Sequence, residues 1–225
     1  MIVLRYLFLT LGLAIAAWTP LLAQFNIFVG LTPGWSNAKV TNDIIDAFNE
    51  ERPWLDKDMK QLGYIQGIAA GLRYRMEEVG FEFSYHNRFQ SMDAEGINPM
   101  DQVDFSKDIY FTYQGMGLGI EQVIEAWSIG GSFGAEQLVM RAENNDSGNR
   151  NLVDRQYVFD SHFYFTYSIN TAGFTKLTVK PFVQIRWQDF DLSPLAEELE
   201  VNRTGMNNEE RYLYFGITLA FYNGG

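Results

Sequence analysis

Two short runs bring together the residue types of acyl transfer: Ser84 with His86, and Asp160 with His162. A hydroxyl, an imidazole and a carboxylate are the material of a nucleophile and its base. Residues two apart on a strand share a face, so the members of each pair can touch. The chemistry would be lipid acyl hydrolysis, which requires the serine and histidine to reach the membrane side near an outer rim. The alternation around them points both inward, where polar side chains packed in a network are the commoner arrangement. No catalytic residue is therefore assigned. Glu143-Asn144-Asn145-Asp146-Ser147-Gly148-Asn149, with Asp154, loosely imitates a calcium loop but lacks its acidic first-position pattern and its terminal Glu. Such residues between strands are ordinary turn formers. Gly115-x-Gly117-x-Gly119 is followed by no helix and no Lys-Ser/Thr pair, so it is not a phosphate loop. Neither metal nor cofactor is expected.

Composition narrows the elements that position these residues. The chain has 225 residues, 47% of them hydrophobic and 16% aromatic, so it folds. Its 17 Lys and Arg against 28 Asp and Glu leave no basic patch for a nucleic acid. The absence of cysteine removes disulfides, thiolate metal sites, thiol nucleophiles and a lipid-modified cysteine anchor. Met1 to Ala23, with Arg5, an apolar stretch from Tyr6 to Ala17 and Leu21-Leu22-Ala23 before Gln24, reads as a secretory signal peptide. The expected organisation is a cleaved segment 1–23 and one barrel domain, 24–225. No later apolar run is long enough to span a bilayer as a helix, so any membrane crossing must be made by strands.

From Phe25 onward the apolar residues alternate with period two in segments of about ten residues, the length of a tilted membrane strand. Eight are expected: Phe25 to Gly34, Tyr64 to Arg75, Glu78 to Phe89, Phe105 to Gly119, Ile124 to Arg141, Gln156 to Asn170, Thr175 to Gln188 and Arg211 to Tyr222. In the fourth the apolar set changes parity near Gly115 to Gly119, which predicts a bulge or kink. The intervening segments alternate long and short. Trp35 to Gly63, Gln90 to Asp104, Ala142 to Arg155 and Asp189 to Glu210 are long; Met76-Glu77, Ile120 to Val123 and Thr171 to Phe174 are short. Long outer loops and tight periplasmic turns are the habit of outer-membrane barrels. The first long loop predicts a helix capped at Thr41-Asn42-Asp43 and bearing Ile44, Ile45 and Phe48, and a second begun by Pro53 and bearing Leu55, Met59 and Leu62. Packing over the barrel mouth is the expected role of these amphipathic pieces. The fourth loop is acidic, with Asp189, Asp191, Glu197, Glu198, Glu200, Glu209 and Glu210, a solvated run that could also bridge lipopolysaccharide through divalent cations.

Periodicity alone allows a soluble eight-stranded barrel around a greasy pocket, lipocalin-like, and the polar face decides against it. That face carries Gly67, Ala69, Gly71, Ser128, Gly130, Ser132 and Gly134, small residues suited to a crowded lumen. It also carries Arg73, Arg75, Glu82, His86, Arg88, Glu136, Asp160, His162, Lys180 and Arg186, which form the expected interior polar network. The expected lipid-facing set is Phe81, Phe83, Phe163, Phe165, Val183, Ile185, Phe215, Ile217, Leu219 and Phe221. Tyr64, Tyr74, Tyr85, Trp127, Tyr157, Tyr167 and Trp187 lie mostly toward segment ends, as in an interfacial girdle.

With these features the chain resembles the small eight-stranded outer-membrane β-barrels, like the OmpA transmembrane domain or OmpX. The resemblance covers nearly all of the chain after the leader and rests on pattern. Its most motif-like part is the final strand, Tyr212 to Asn223 (YLYFGITLAFYN), although the sequence continues to Gly224-Gly225. The resemblance implies a closed antiparallel transmembrane barrel, recognition of Tyr212 to Tyr222 by the assembly machinery, and contact with outer-membrane lipid and lipopolysaccharide. A structural or surface-interaction role through the loops, toward an unidentified partner, is implied rather than catalysis. Two alternatives stay open: a soluble periplasmic or secreted eight-stranded ligand-binding barrel, lipocalin-like, and, second, a lipid A-modifying barrel enzyme.

Overall fold

The computed structural model describes residues 24–100, 102–145, 148–170, 175–203 and 205–223. The expected signal peptide and the expected turn Thr171 to Phe174 lie outside the described residues. Strands are β1 (Gln24–Leu31), β2 (Gly34–Asn37), β3 (Leu55–Lys57), β4 (Tyr64–Arg75), β5 (Val79–Ile97), β6 (Asp104–Ile124), β7 (Trp127–Asn144), β8 (Asn151–Asn170), β9 (Thr175–Arg186), β10 (Phe190–Asp191), β11 (Glu209–Glu210) and β12 (Leu213–Asn223). Helices are α1 (Lys39–Glu50) and α2 (Ser193–Glu198).

Neighbour pairs β1–β4, β4–β5, β5–β6, β6–β7, β7–β8, β8–β9, β9–β12 and β12–β1 are all antiparallel and close the ring. This is a closed, antiparallel eight-stranded barrel, and closure leaves no bare edge in the ring. The first stave is longer than expected. It breaks at Pro33, which has no N–H to give, and β2 resumes against β4 and β12 in unchanged register: Leu31 faces Ile68 and Leu219, Gly34 faces Ile65 and Gly216.

Four staves outrun their expected ends. β5 continues to Ile97, β6 to Ile124, β7 to Asn144, and β8 begins at Asn151. The long connections expected after the third and fifth strands are therefore mostly sheet. The kink expected at Gly115 to Gly119 is absent, because β6 holds one register with β5 and with β7 from end to end. What changes along β6 is the environment. Ile109, Phe111 and Tyr113 are buried inside, whereas Met116, Leu118 and Ile120 are exposed outside. Two residues of β6 separated by an odd step are thus apolar for opposite reasons. The same switch runs along β5, from outward Phe81 and Phe83 with inward Glu82 to inward Met92 and Ala94 with outward Asp93 and Glu95.

The barrel consequently has a lower zone, polar within and apolar without, and an upper zone of ordinary polarity. The upper core joins Ile109, Phe111, Tyr113, Leu138 and Met140 of the wall to Ile44, Ile45 and Phe48 of α1 and to Phe190, Leu192 and Leu195 of the last long connection. These segments plug the upper mouth. Ala38, and not Thr41, Asn42 or Asp43, precedes α1. The N–H groups of Val40 and Thr41, in the first turn and without a partner within the helix, donate instead to the Glu210 carboxylate at 2.7 and 3.0 Å, and Thr41 Oγ1 donates to it at 2.8 Å. A carboxylate there also meets the positive end of the helix dipole. The second helix expected from Pro53 does not form. Leu55 and Lys57 pair with Gly96 and Glu95, covering the protruding edge of β5. The matching edge of β8 is covered by the Gln156 side-chain amide, which donates to Asp191 O at 2.6 Å and accepts from Asp191 N at 2.8 Å.

Candidate functional site

The ten expected lipid-facing residues all lie exposed on the outer wall, between 39% for Val183 and 59% for Phe163. Aromatic pairs flank this belt. Trp127 and Tyr167 lie at 4.2 Å and Phe25 and Tyr74 at 5.1 Å near the lower turns, and Trp35 and Tyr64 at 5.6 Å near the upper limit. Tyr64 and Tyr74 on β4, like Tyr157 and Tyr167 on β8, are ten residues apart. That is about 33 Å of strand, or about 25 Å of height at a tilt near 40°, the thickness of an outer-membrane apolar band.

Inside the belt the charges form tiers. In the lowest, Arg73 is paired directly with Glu121, and Ser128 bridges them, accepting from Arg73 Nη2 at 3.2 Å and donating to Glu121 Oε2 at 2.8 Å. Above it, Lys180 Nζ donates to Glu82 Oε1 at 2.5 Å and lies 3.7 Å from the Tyr164 ring centroid. The top tier centres on Glu136, which accepts from Arg186 Nε at 2.6 Å, is 2.9 Å from His86 Nε2 and is 3.5 Å from Arg88 Nη1. Arg88 also donates to Gln184 Oε1 at 2.5 Å. Asp160 lies with Oδ1 3.1 Å from His162 Nε2, an ion-pair distance without hydrogen-bond alignment. A cavity of about 40 Å³ lies between the Glu82 and His86 levels, room for about three waters.

Nine of the ten expected interior residues thus come together inside the tube. Arg75 is set apart at the lower mouth, where it donates to Glu125 O at 3.0 Å. Sequence reasoning missed Glu121, because it placed Ile120 to Val123 in a turn; the turn is Glu125-Ala126, and Glu125 has a φ of 55°. The signal was present. Gly119, Glu121 and Val123 continue the inward parity while Leu118, Ile120 and Ile124 continue the outward one.

The two apparent catalytic pairs fall in this network. His86 is 93% buried, its Nε2 is engaged by Glu136, and its ring faces that of His162 at 5.5 Å. Crowding seals it further, since a Cβ at Gly115 would run into the His86 ring. Ser84 and His86 both line the small interior cavity, on the inward side of β5.

The outer platform is acidic and internally braced. Lys57 pairs with Asp93 and, at 2.6 Å, with Glu95, and these hydrogen bonds hold its ammonium above the ordinary lysine pKa. Lys107 of β6 pairs with Glu198 of α2, and Arg211 with Asp189 at 2.9 Å. Glu143, first residue of the loose calcium-loop match, accepts from Gly148 N at 2.8 Å and Arg150 Nε at 3.4 Å. Asp146 and Ser147 of that match lie outside the described residues. Among the described residues no group of three or more His, Asp or Glu is arranged to hold a metal.

No protein-family model matches this chain, and no curated protein matches it. Among solved structures, the attachment invasion locus protein Ail of Yersinia pestis, in complex with the heparin analogue sucrose octasulfate, aligns over 89% of this chain and 98% of its own. The TM-score is 0.49 and the identity 9%. Neisserial surface protein A, NspA, aligns over 90% of this chain and 99% of its own, with a TM-score of 0.42 and 9% identity. Both alignments run end to end yet are distant, so the closed ring itself establishes the architecture here.

Proposed function

We propose that this chain is an outer-membrane barrel whose task is to hold a rigid, acidic platform above the bilayer for surface interaction. The carrying observation is the inversion of polarity along β5 and β6. It places an apolar band about 25 Å high around the lower zone and makes the upper zone an ordinary water-facing domain with its own core. Outer-membrane lipid and lipopolysaccharide surround the belt. Export by the segment 1–23 and delivery to the assembly machinery through Tyr212 to Tyr222 complete this reading. The outward aromatics of that strand are Phe215 and Phe221.

Catalysis and wide-pore transport have no support in the lumen, which is filled by paired charges. The lipocalin-like alternative needs a greasy interior, and the apolar side chains of the belt face the other way. The platform's Asp56, Asp93, Glu95, Asp104 and Asp108 repel sulfated or phosphorylated polymers, which leaves a neutral or basic protein surface as the fitting partner.

Because the sequence has no cysteine, single-cysteine labelling is clean. A membrane-impermeant maleimide should label Glu95→Cys on intact cells and label Glu125→Cys only after the outer membrane is opened. The opposite pattern, or recovery of the protein in the soluble fraction, would overturn the proposal.

A further inference from the structure

We propose that the lower mouth of the barrel, at the end carrying the short turns, is a site for a small oxyanion, a carboxylate or a phosphate, held between Arg75 and Lys176. This stands independently of the role given to the platform.

The charge balance of the lumen points to it. In the tiers above the mouth the cations meet carboxylates: Lys180 meets Glu82, and Arg186 and Arg88 meet Glu136. At the mouth three cations, Arg73, Arg75 and Lys176, share one cleft with Ser168, Thr178 and Tyr222. They converge because the registers set Arg75 of β4 opposite Gln24 and Lys176 of β9 opposite Tyr222, at the lowest row of the tube. Glu121 is the carboxylate within reach, and it is already taken by Arg73 and Ser128. Among the described residues Arg75 finds only the carbonyl oxygen of Glu125, at 3.0 Å. Lys176 makes no ion pair within 4.0 Å among the described residues.

Two half-buried cations beside a third, with no carboxylate of their own among the described residues, are an electrostatic cost in a partly desolvated mouth. An oxyanion removes it. Arg75 offers a planar fork and Lys176 a mobile ammonium, while the Ser168 and Thr178 hydroxyls, hydrogen-bonded to each other at 3.2 Å, leave one hydroxyl proton to donate at the same level. The cleft is about 10 Å³, room for about one water. The anion therefore lies across the opening, with one oxygen directed inward. The occupant is a small carboxylate or phosphate, free or at the end of a larger molecule.

The test uses the full barrel, isotope-labelled, in micelles of a detergent with an uncharged, phosphate-free headgroup. Inorganic phosphate and, separately, acetate are titrated at constant low ionic strength while side-chain and amide resonances are followed. Saturable shifts at Arg75, Ser168 and Lys176 are expected, weakening as chloride is raised. Lys176→Met and Arg75→Gln should each weaken the midpoint about tenfold. Lys176→Arg should retain binding, and Lys57→Met at the far end should leave it unchanged. Heat-modifiable gel migration shows that each variant has closed, and the Lys176 pair carries the comparison should Arg75→Gln fail to do so. Saturation by only one of the two anions supports the site and fixes its class. Shifts that never saturate, or that keep their midpoint in Lys176→Met, overturn it.

Discussion

Two lengths of the same strands obey opposite rules. Along β5, Phe81 and Phe83 face out and Glu82 faces in, while a few residues higher Asp93 and Glu95 face out and Met92 and Ala94 face in. No bulge intervenes and no register slips. The backbone is indifferent to which of its faces is wet; the solvent around each level decides. In the lower zone specificity comes from charges that must find one another inside a narrow tube. In the upper zone it comes from apolar packing that must exclude water, as in any soluble domain.

The comparison can be broken most forcefully at the centre of each zone. Glu136→Ala leaves Arg186 and Arg88 without their carboxylate and should cost about 3–5 kcal/mol. Phe111→Ala, which opens a cavity in the upper core, should cost a similar 3–5 kcal/mol or so. Both are read from the denaturant midpoint of refolding into micelles, and a near-neutral Glu136→Ala would mean that the lumen charges are solvated. Next in size, Ile217→Arg on the belt should cost about 2–4 kcal/mol if it lies near the bilayer midplane. Its inward neighbour Thr218→Ser should be mild, and equal losses at the two positions would reverse the assignment of faces. Smaller again, Glu210→Ala removes the cap of α1 and should cost about 1–2 kcal/mol, visible as faster hydrogen exchange at Val40 and Thr41. Least of all, Ser91→Arg on the outward face of the upper zone should shift stability by no more than about 0.5 kcal/mol. The contrast between Ile217→Arg and Ser91→Arg is the sharpest single reading of where lipid ends.

The lower zone was the legible one. Period-two alternation assigned Tyr64 to Arg75 to a strand residue for residue, and it sorted Phe81 from Glu82 and Ile217 from Thr218. Lengths were the weak point. A reading tuned to about ten residues per crossing stopped at Phe89, because beyond it the apolar parity reverses and looks like the end of a strand. Residues 91–95 alternate as cleanly as 81–85, with the opposite sense. Glu121 was lost differently, since the parity there continues unbroken but the segment is read as a turn. The contacts that lock the plug were beyond reach for another reason: Glu210 and Val40 are 170 residues apart, and no local pattern announces such a pairing.

That pairing has a temporal consequence. Since the amide groups opening α1 are satisfied by a side chain just ahead of the final stave, the first long connection lacks that cap until nearly the whole chain has been delivered. The upper lid can therefore be latched only after the chain as far as Glu210 is in place, so a barrel truncated before that residue would leave α1 uncapped.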